Sequence, residues 1–239
     1  MIFCYGIVAY AVALAGQVWF ILYLTQWEAL PRTIYDAQTL STPYAVIIDT
    51  ALVILFGLQH SVMARSWFKR YVTHLLPEAA ERSTYVLLSG AVFILICLYW
   101  QPIDGEVWDV ENEVMRTLLW SGYVLGWVFS LVATFVINHF ELFGLQQVWL
   151  QLKQTKPSEI AFQEKLFYKF IRHPIQFGVL LALWITPVMN YGHLLLSVLF
   201  TAYIFIGLYF EEKDLVKELG EVYADYRKRV GMMIPRRRR

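Results

Sequence analysis

Charge is scarce in this chain and unevenly spread. Only 16% of its 239 residues are Asp, Glu, Lys or Arg, too few to clothe an ordinary globular core in water. Cysteine is nearly absent: Cys4 and Cys97 both lie inside apolar runs and lack C-x-x-C spacing. That excludes a disulfide framework and reads as two small buried hydrophobes. No G-x-G occurs anywhere, so a Rossmann dinucleotide fold is excluded, and H-E-x-x-H, G-x-S-x-G and Walker loops are missing too. No metal site is expected. There is no repeat at a 20–50-residue period and no low-complexity stretch beyond the arginines at 236–239.

What the chain does have is long apolar runs, at 2–24, 44–63 (containing Asp49, Gln59 and His60), 83–100 and 118–138. Each approaches the roughly 20 residues that cross a ~30 Å hydrocarbon layer. The first has no A-x-A site and no basic residue ahead of it, so it reads as a span rather than a signal peptide. A fifth apolar region, 175–210, is broken by Thr186-Pro187 and Asn190-Tyr191-Gly192, which predicts a helical hairpin with arms of about 14 and 18 residues. The expected fold is all-α: a polytopic transmembrane bundle of five to six spans, the last two a hairpin, with a C-terminal amphipathic cytoplasmic helix. The chain is expected to divide at residue 138 into a transmembrane bundle, 1–138, and a C-terminal region, 139–239, made of the long cytoplasmic link, the hairpin and the last helix. Gly122-x-x-x-Gly126 on the fourth span suits ordinary close helix packing.

Charge placement sets the orientation. Link 64–82 carries Arg65, Lys69, Arg70 and Arg82, link 139–174 carries Lys153, Lys156, Lys165, Lys169 and Arg172, and the tail from Lys213 carries nine more basic residues. Link 101–114 has none and holds Asp104, Glu106, Asp109, Glu111 and Glu113. Basic loops stay inside, so both termini are expected in the cytoplasm and the chain in an inner membrane. Basic residues flanking spans suit anionic lipid headgroups rather than nucleic acid, and no obligate protein partner is evident. Within 159–170, Ile160, Leu166, Phe167 and Phe170 make an apolar stripe suited to lying along the interface. Beyond Glu212, Leu215, Val216, Leu219, Val222, Tyr223 and Tyr226 recur at helical spacing.

Ionisable residues at span ends are candidate functional groups. His173-Pro174 fits a helix start with Pro at the first position, where free N–H groups and the positive dipole end suit an anion. Arg172 beside it either forks a ligand carboxylate or anchors the topology. Glu211 and Glu212 are about 100° apart on a helix, so one faces inward and the other meets solvent or Lys. His60, Asn138 and His139 lie at the inner ends of the second and fourth spans, where each His is either a hydrogen-bonded bundle residue or part of a site. Asp49 belongs to the outer third of its span and pairs within the bundle.

Together, Arg172-His173-Pro174-x-x-x-Gly178, Glu211-Glu212-x-x-Leu215, Gly220-x-x-Tyr223-x-x-Tyr226 and Ile234-Pro235 resemble the C-terminal signature of integral-membrane methyltransferases typified by isoprenylcysteine carboxyl methyltransferase. Gln176 stands where that pattern usually has Tyr. Upstream, Phe56-Gly57-Leu58-Gln59-His60-Ser61-Val62-Met63-Ala64-Arg65, Glu81-Arg82-Ser83-Thr84-Tyr85-Val86 and Asn138-His139-Phe140-Glu141-Leu142-Phe143-Gly144-Leu145 are similar to the bacterial methanethiol S-methyltransferases, which make dimethyl sulfide. The resemblance covers roughly residues 50–235. It implies an S-adenosylmethionine pocket at Tyr168, Arg172, His173, Pro174, Gly178, Tyr203, Glu211, Glu212, Tyr223 and Tyr226. It also implies a small thiol acceptor handled by His60, His139 and Asn138.

The implied chemistry is coherent. Methyl transfer from a sulfonium needs an in-line nucleophile in a dry pocket, and positioning supplies most of the acceleration. The thiolate is the reactive form, so a neutral His or a cation beside the sulfur would help. Other acceptors (hydrogen sulfide, a larger thiol, a phospholipid amine, a prenylated cysteine) would use the same C-terminal signature. A non-catalytic membrane protein of the same fold would not bind the methyl donor at all.

Overall fold

The computed structural model describes residues 1–155 and 164–236. In chain order the elements are α1 (Ile2–Tyr23), α2 (Thr42–Met63), α3 (Ser66–Thr73), α4 (Glu78–Tyr99), β1 (Glu106–Asp109), α5 (Glu113–Ile137), α6 (His139–Leu142), α7 (Leu145–Lys153), α8 (Pro174–Trp184), β2 (Val188–Asn190), α9 (Tyr191–Leu219) and α10 (Glu221–Arg229), with a 3-10 turn at Leu166–Lys169. Five of them, α1, α2, α4, α5 and α9, are long and apolar enough to cross a membrane. Side chains such as Ile47, Leu58 and Leu125 are more than half exposed. Apolar exposure on that scale fits lipid as the solvent of these faces. The protein is a polytopic membrane protein.

The described chain divides into two compact units. The first comprises Met1–Val107, Phe140–Ser158 and Met189–Leu199. Its α1 and α4 touch backbone to backbone. A Cβ added to Gly16 would fall 2.4 Å from the Gly90 carbonyl oxygen, and one on Gly90 would fall 2.4 Å from the Ala13 Cα. Small residues allow such contact where dispersion, not water, must hold helices together. Phe93 bridges to α1 and α2 through Phe20 and Phe56, with ring centroids 4.8 and 4.7 Å away. Asp49 is completely buried, and its Oδ1 accepts the Gln101 N–H at 2.8 Å, so it caps the chain where α4 ends. At the start of α9, Asn190 Oδ1 accepts the His193 N–H at 2.7 Å, while His193 Nδ1 lies 2.8 Å from the Tyr35 hydroxyl. Cys97 is buried as expected, but Cys4 is exposed on α1. A helix apolar all round cannot turn every face inward.

The second unit comprises Trp108–His139, Glu159–Val188 and Phe200–Arg239. Here α8 runs antiparallel to α5. Gly126 faces Gly178 and Ala182, Gly122 faces Ile185, and a Cβ on Gly178 would lie 2.5 Å from the Gly126 carbonyl oxygen. The Gly122/Gly126 pair thus serves close packing, as read from the sequence. Helix α8 has only 11 residues, about 16 Å at 1.5 Å per residue. Beyond α8 the chain continues in extended form, because Pro187 cannot donate and disfavours helix at Thr186. Extended backbone at that depth needs protein partners, and it has them. Trp108 Nε1 donates to the Thr186 carbonyl at 3.0 Å, Val110 N–H to that of Pro187 at 2.9 Å, and the Thr186 hydroxyl to that of Val188 at 2.9 Å. The expected hairpin is therefore asymmetric, with a short, half-extended first arm. β1 and β2 form a two-stranded sheet in an otherwise helical chain.

The last span does not stop at Glu211-Glu212. Helix α9 continues to Leu219 because the Lys, Glu and Leu residues that follow are good helix formers. Gly220, at φ +61°, ends it. The separate amphipathic helix is only α10, whose Tyr223 and Tyr226 join Val230 in a core against Leu215 and Val216. Of the interfacial stretch expected at 159–170, residues 159–163 lie outside the described residues, and Leu166–Lys169 form a single 3-10 turn in which Leu166 is exposed, as is Phe170 after it.

Candidate active site

In the second unit the His173-Pro174 turn and the end of α9 come together. His173 is the N-cap of α8 and Pro174 its first residue, the arrangement the sequence predicts. The strand-like segment after α10 fixes this turn: Arg172 N–H donates to the Gly231 carbonyl at 2.9 Å and His173 N–H to that of Met232 at 3.2 Å. Glu212 faces inward and Glu211 is exposed, as adjacent acids on a helix must be.

The Glu212 carboxylate is the hub. Its Oε1 accepts from Arg172 Nε at 2.6 Å, from Arg172 Nη2 at 2.6 Å and from His173 Nε2 at 3.1 Å, while Oε2 lies 3.1 Å from Arg227 Nε. Arg172 Nη1 donates to the carbonyls of Val230 and Arg227. The Arg172 guanidinium is thus spent on the protein itself rather than held out for a ligand. Arg227, which the sequence reading did not single out, uses Nε on Glu212 and keeps a side chain 42% exposed. Charges this deep persist because they are paired and hydrogen-bonded.

The aromatic residues of the signature surround this hub as packing. Tyr226 donates its hydroxyl to the Tyr168 carbonyl at 2.6 Å, and the Tyr168 hydroxyl reaches the Ala133 carbonyl at 3.5 Å. Burial, with help from the Glu212 charge, pushes the Tyr223 phenol up to about 12, and burial raises Tyr168 and Tyr226 as well. Tyr203 is half-buried on α9, edge-on to Phe200 at 6.5 Å. Gly178 serves the α5–α8 contact.

His139 and Asn138 close α5 in the same unit. Asn138 is its C-cap, and buried His139 stacks on Phe135 at 4.1 Å and 4°. The Thr134 hydroxyl donates to the Leu131 carbonyl at 2.6 Å, so its oxygen accepts from His139 Nδ1, 2.8 Å away. That leaves Nε2 as the basic nitrogen. Desolvation lowers the His139 pKa, which keeps the ring neutral.

His60 belongs to the first unit. Its Nε2 lies 2.7 Å from the Tyr85 hydroxyl and its Nδ1 3.3 Å from Ser89 Oγ, with Phe56 stacked at 5.2 Å. Arg82 lies 4.6 Å above the Tyr85 ring centroid. Tyr85 and Arg82 stood in a quoted motif without a role, and Ser89 had no sequence signal beyond lying four residues after Tyr85.

A donor such as S-adenosylmethionine carries a carboxylate, an ammonium and a sulfonium. The partly exposed Arg227 guanidinium is of the right sign for the carboxylate, and Glu211, whose carboxyl is held above its ordinary pKa by burial, offers its oxygens to the ammonium, so the residues present fit the group.

These features define a polytopic membrane protein with a buried ionic centre built on Glu212. The chain is 42% identical over 226 residues to the methanethiol S-methyltransferase of Mycobacterium tuberculosis, spanning 95% of this chain and 88% of that protein. It is 46% identical over 210 residues to that of Pseudomonas deceptionensis, spanning 88% and 80%. Nurim of Rattus norvegicus, a name that states no activity, is 30% identical over 179 residues, spanning 70% of this chain and 66% of that one. No family model matches, and no solved structure does. The chain belongs to the methanethiol S-methyltransferase family.

Proposed function

We propose that the chain is a membrane enzyme that transfers the methyl group of S-adenosylmethionine to methanethiol and releases dimethyl sulfide. The observation that carries this reading is 42–46% identity over most of the chain to proteins named for methyl transfer to that thiol. The region 139–239 binds the donor and 1–138 supplies the acceptor side. Arg227 and Glu211 hold the charged amino-acid end, and Arg172, His173 and Glu212 keep them in register. Pro174 and Gly178 set the start of α8 beside them, and Tyr168, Tyr203, Tyr223 and Tyr226 wall off water. When bound, the sulfonium donor supplies an electrophilic methyl group. Of His60 and His139, one accepts the thiol proton or holds the thiolate and the other orients it, with Asn138 as a further acceptor-side residue.

The enzyme works from a bacterial inner membrane with both termini cytoplasmic, a reading supported by the basic links and by an even number of passes once the α8 arm is counted. Lipid is its one standing partner, and a volatile apolar thiol reaches the site without leaving it. The test is to incubate purified protein with S-adenosylmethionine and a panel of thiols, then analyse the headspace. Dimethyl sulfide from methanethiol is the expected product. The likeness to Nurim favours one rival, a non-enzymatic membrane protein, which would show no affinity for S-adenosylhomocysteine.

A further inference from the structure

Three stretches set apart by their sequence meet in the first unit. Arg82 Nε donates to the Leu142 carbonyl at 2.7 Å, Ser83 Oγ to that of Gly144 at 3.3 Å, and Tyr85 faces His60. Gly144 is required for this approach: it has φ +83°, and a Cβ there would fall 2.7 Å from the Ser83 nitrogen. Arg82, anchored in this way, lies 4.6 Å over the Tyr85 ring centroid.

Proton accounting at His60 gives its tautomer. Ser89 has one hydroxyl proton, within reach of the Tyr85 carbonyl at 2.9 Å, Gln59 Oε1 at 3.3 Å and His60 Nδ1 at 3.3 Å. The 2.9 Å bond to the Tyr85 carbonyl is the shortest of the three contacts open to that proton, which assigns the proton there and leaves Ser89 Oγ to accept from His60 Nδ1, so that Nδ1 carries the ring proton. Nε2 is then a lone pair, and the Tyr85 hydroxyl donates to it at 2.7 Å. The basic nitrogen of His60 is covered by a phenol, so an incoming thiol would meet the phenol oxygen first.

We propose that Tyr85 relays the acceptor's proton to His60, a step that rests on the methyl-transfer reading above. The S–H bond breaks and its proton goes to Tyr85 Oη, while the Tyr85 proton passes to His60 Nε2. The electron pair left on sulfur takes the methyl group of the sulfonium donor, whose own sulfur becomes a neutral thioether. Arg82, 4.6 Å over the ring, stabilises negative charge passing through the phenol. Ser89 holds the imidazolium through Nδ1. Tyr85 is only 6% exposed, which keeps water from short-circuiting the relay.

The test combines kinetics with a spectrum. Tyr85→Phe keeps the ring, its packing and the Arg82 contact. It should lose about 10²-fold in turnover at neutral pH, bind S-adenosylhomocysteine normally, and regain activity as rising pH supplies thiolate. Ser89→Ala should lose less. Independently of turnover, ¹⁵N-histidine spectra of the wild type should show His60 protonated at Nδ1. Normal turnover in Tyr85→Phe, a loss that rising pH does not relieve, or a His60 proton on Nε2 each overturns the relay. If Tyr85→Phe does not fold, Ser89→Ala and the wild-type spectrum decide. A wild type that makes no dimethyl sulfide overturns the functional reading, and the relay with it. A productive wild type with an indifferent Tyr85→Phe overturns the relay alone.

Discussion

The two centres of this molecule are built on opposite principles. Around Glu212 four charged or ionisable side chains from three segments lock together, and almost every donor of Arg172 is consumed. Around His60 the partners are neutral hydroxyls, an amide and aromatic rings, with the one guanidinium held above a ring face rather than against the imidazole. A charged ligand with several polar handles needs fixed countercharges. A thiol with one methyl group offers nothing to pair with except its proton. Under the proposed function, the first is a binding centre that must not move and the second a proton-handling centre that stays neutral between turnovers.

The largest expected effect comes from breaking the first. Glu212→Ala leaves Arg172, whose side chain is 7% exposed, without its counterion. Removing one partner of such a buried pair costs about 3–5 kcal/mol, so thermal unfolding in detergent should shift down sharply and turnover should vanish. Glu212→Gln should recover part of the stability and none of the turnover. Arg172→Ala should lose turnover too. Breaking the second centre should leave the fold standing: His60→Ala is expected to cost about 10²–10⁴ in turnover with little change in unfolding temperature.

A smaller effect separates packing from chemistry within the signature. Gly178→Ala puts a methyl 2.5 Å from the Gly126 carbonyl oxygen, and overpacking of this kind costs about 1–3 kcal/mol. Lower stability with unchanged affinity for S-adenosylhomocysteine would assign Gly178 to the α5–α8 contact, and the reverse would return it to the donor site. The smallest effect is a pH dependence at His139. Its pKa is lowered in the folded state below an unfolded value of about 6.5, so the unfolded chain binds the extra proton. Its share of stability is complete above pH ~6.5 and is lost as pH falls below that. His139→Gln should remove part of the acid-induced fall in unfolding temperature.

The spans were legible because each is a long apolar run, and the partners Arg172 and Glu212 because both stand at a span end of the same depth. Three features were not. The length of α9 is one, since the charge at Glu211-Glu212 marks the edge of lipid and not the end of a helix. The extended stretch at Ile185–Val188 depends on tertiary partners such as Trp108, which no local pattern announces. Arg227 reaches Glu212 only because Gly220 turns α10 back. Tyr85 lay in plain view, but assigning it a role needed the proton count at Ser89.

The central claim is that the charged centre holds the donor and the neutral centre does not. Calorimetric affinity for S-adenosylhomocysteine, measured side by side in detergent on the wild type, Glu212→Gln and His60→Ala, tests it most directly. The account predicts wild-type affinity in His60→Ala and a severe loss in Glu212→Gln. Unimpaired binding in Glu212→Gln, or loss of binding in a well-folded His60→Ala, would contradict it.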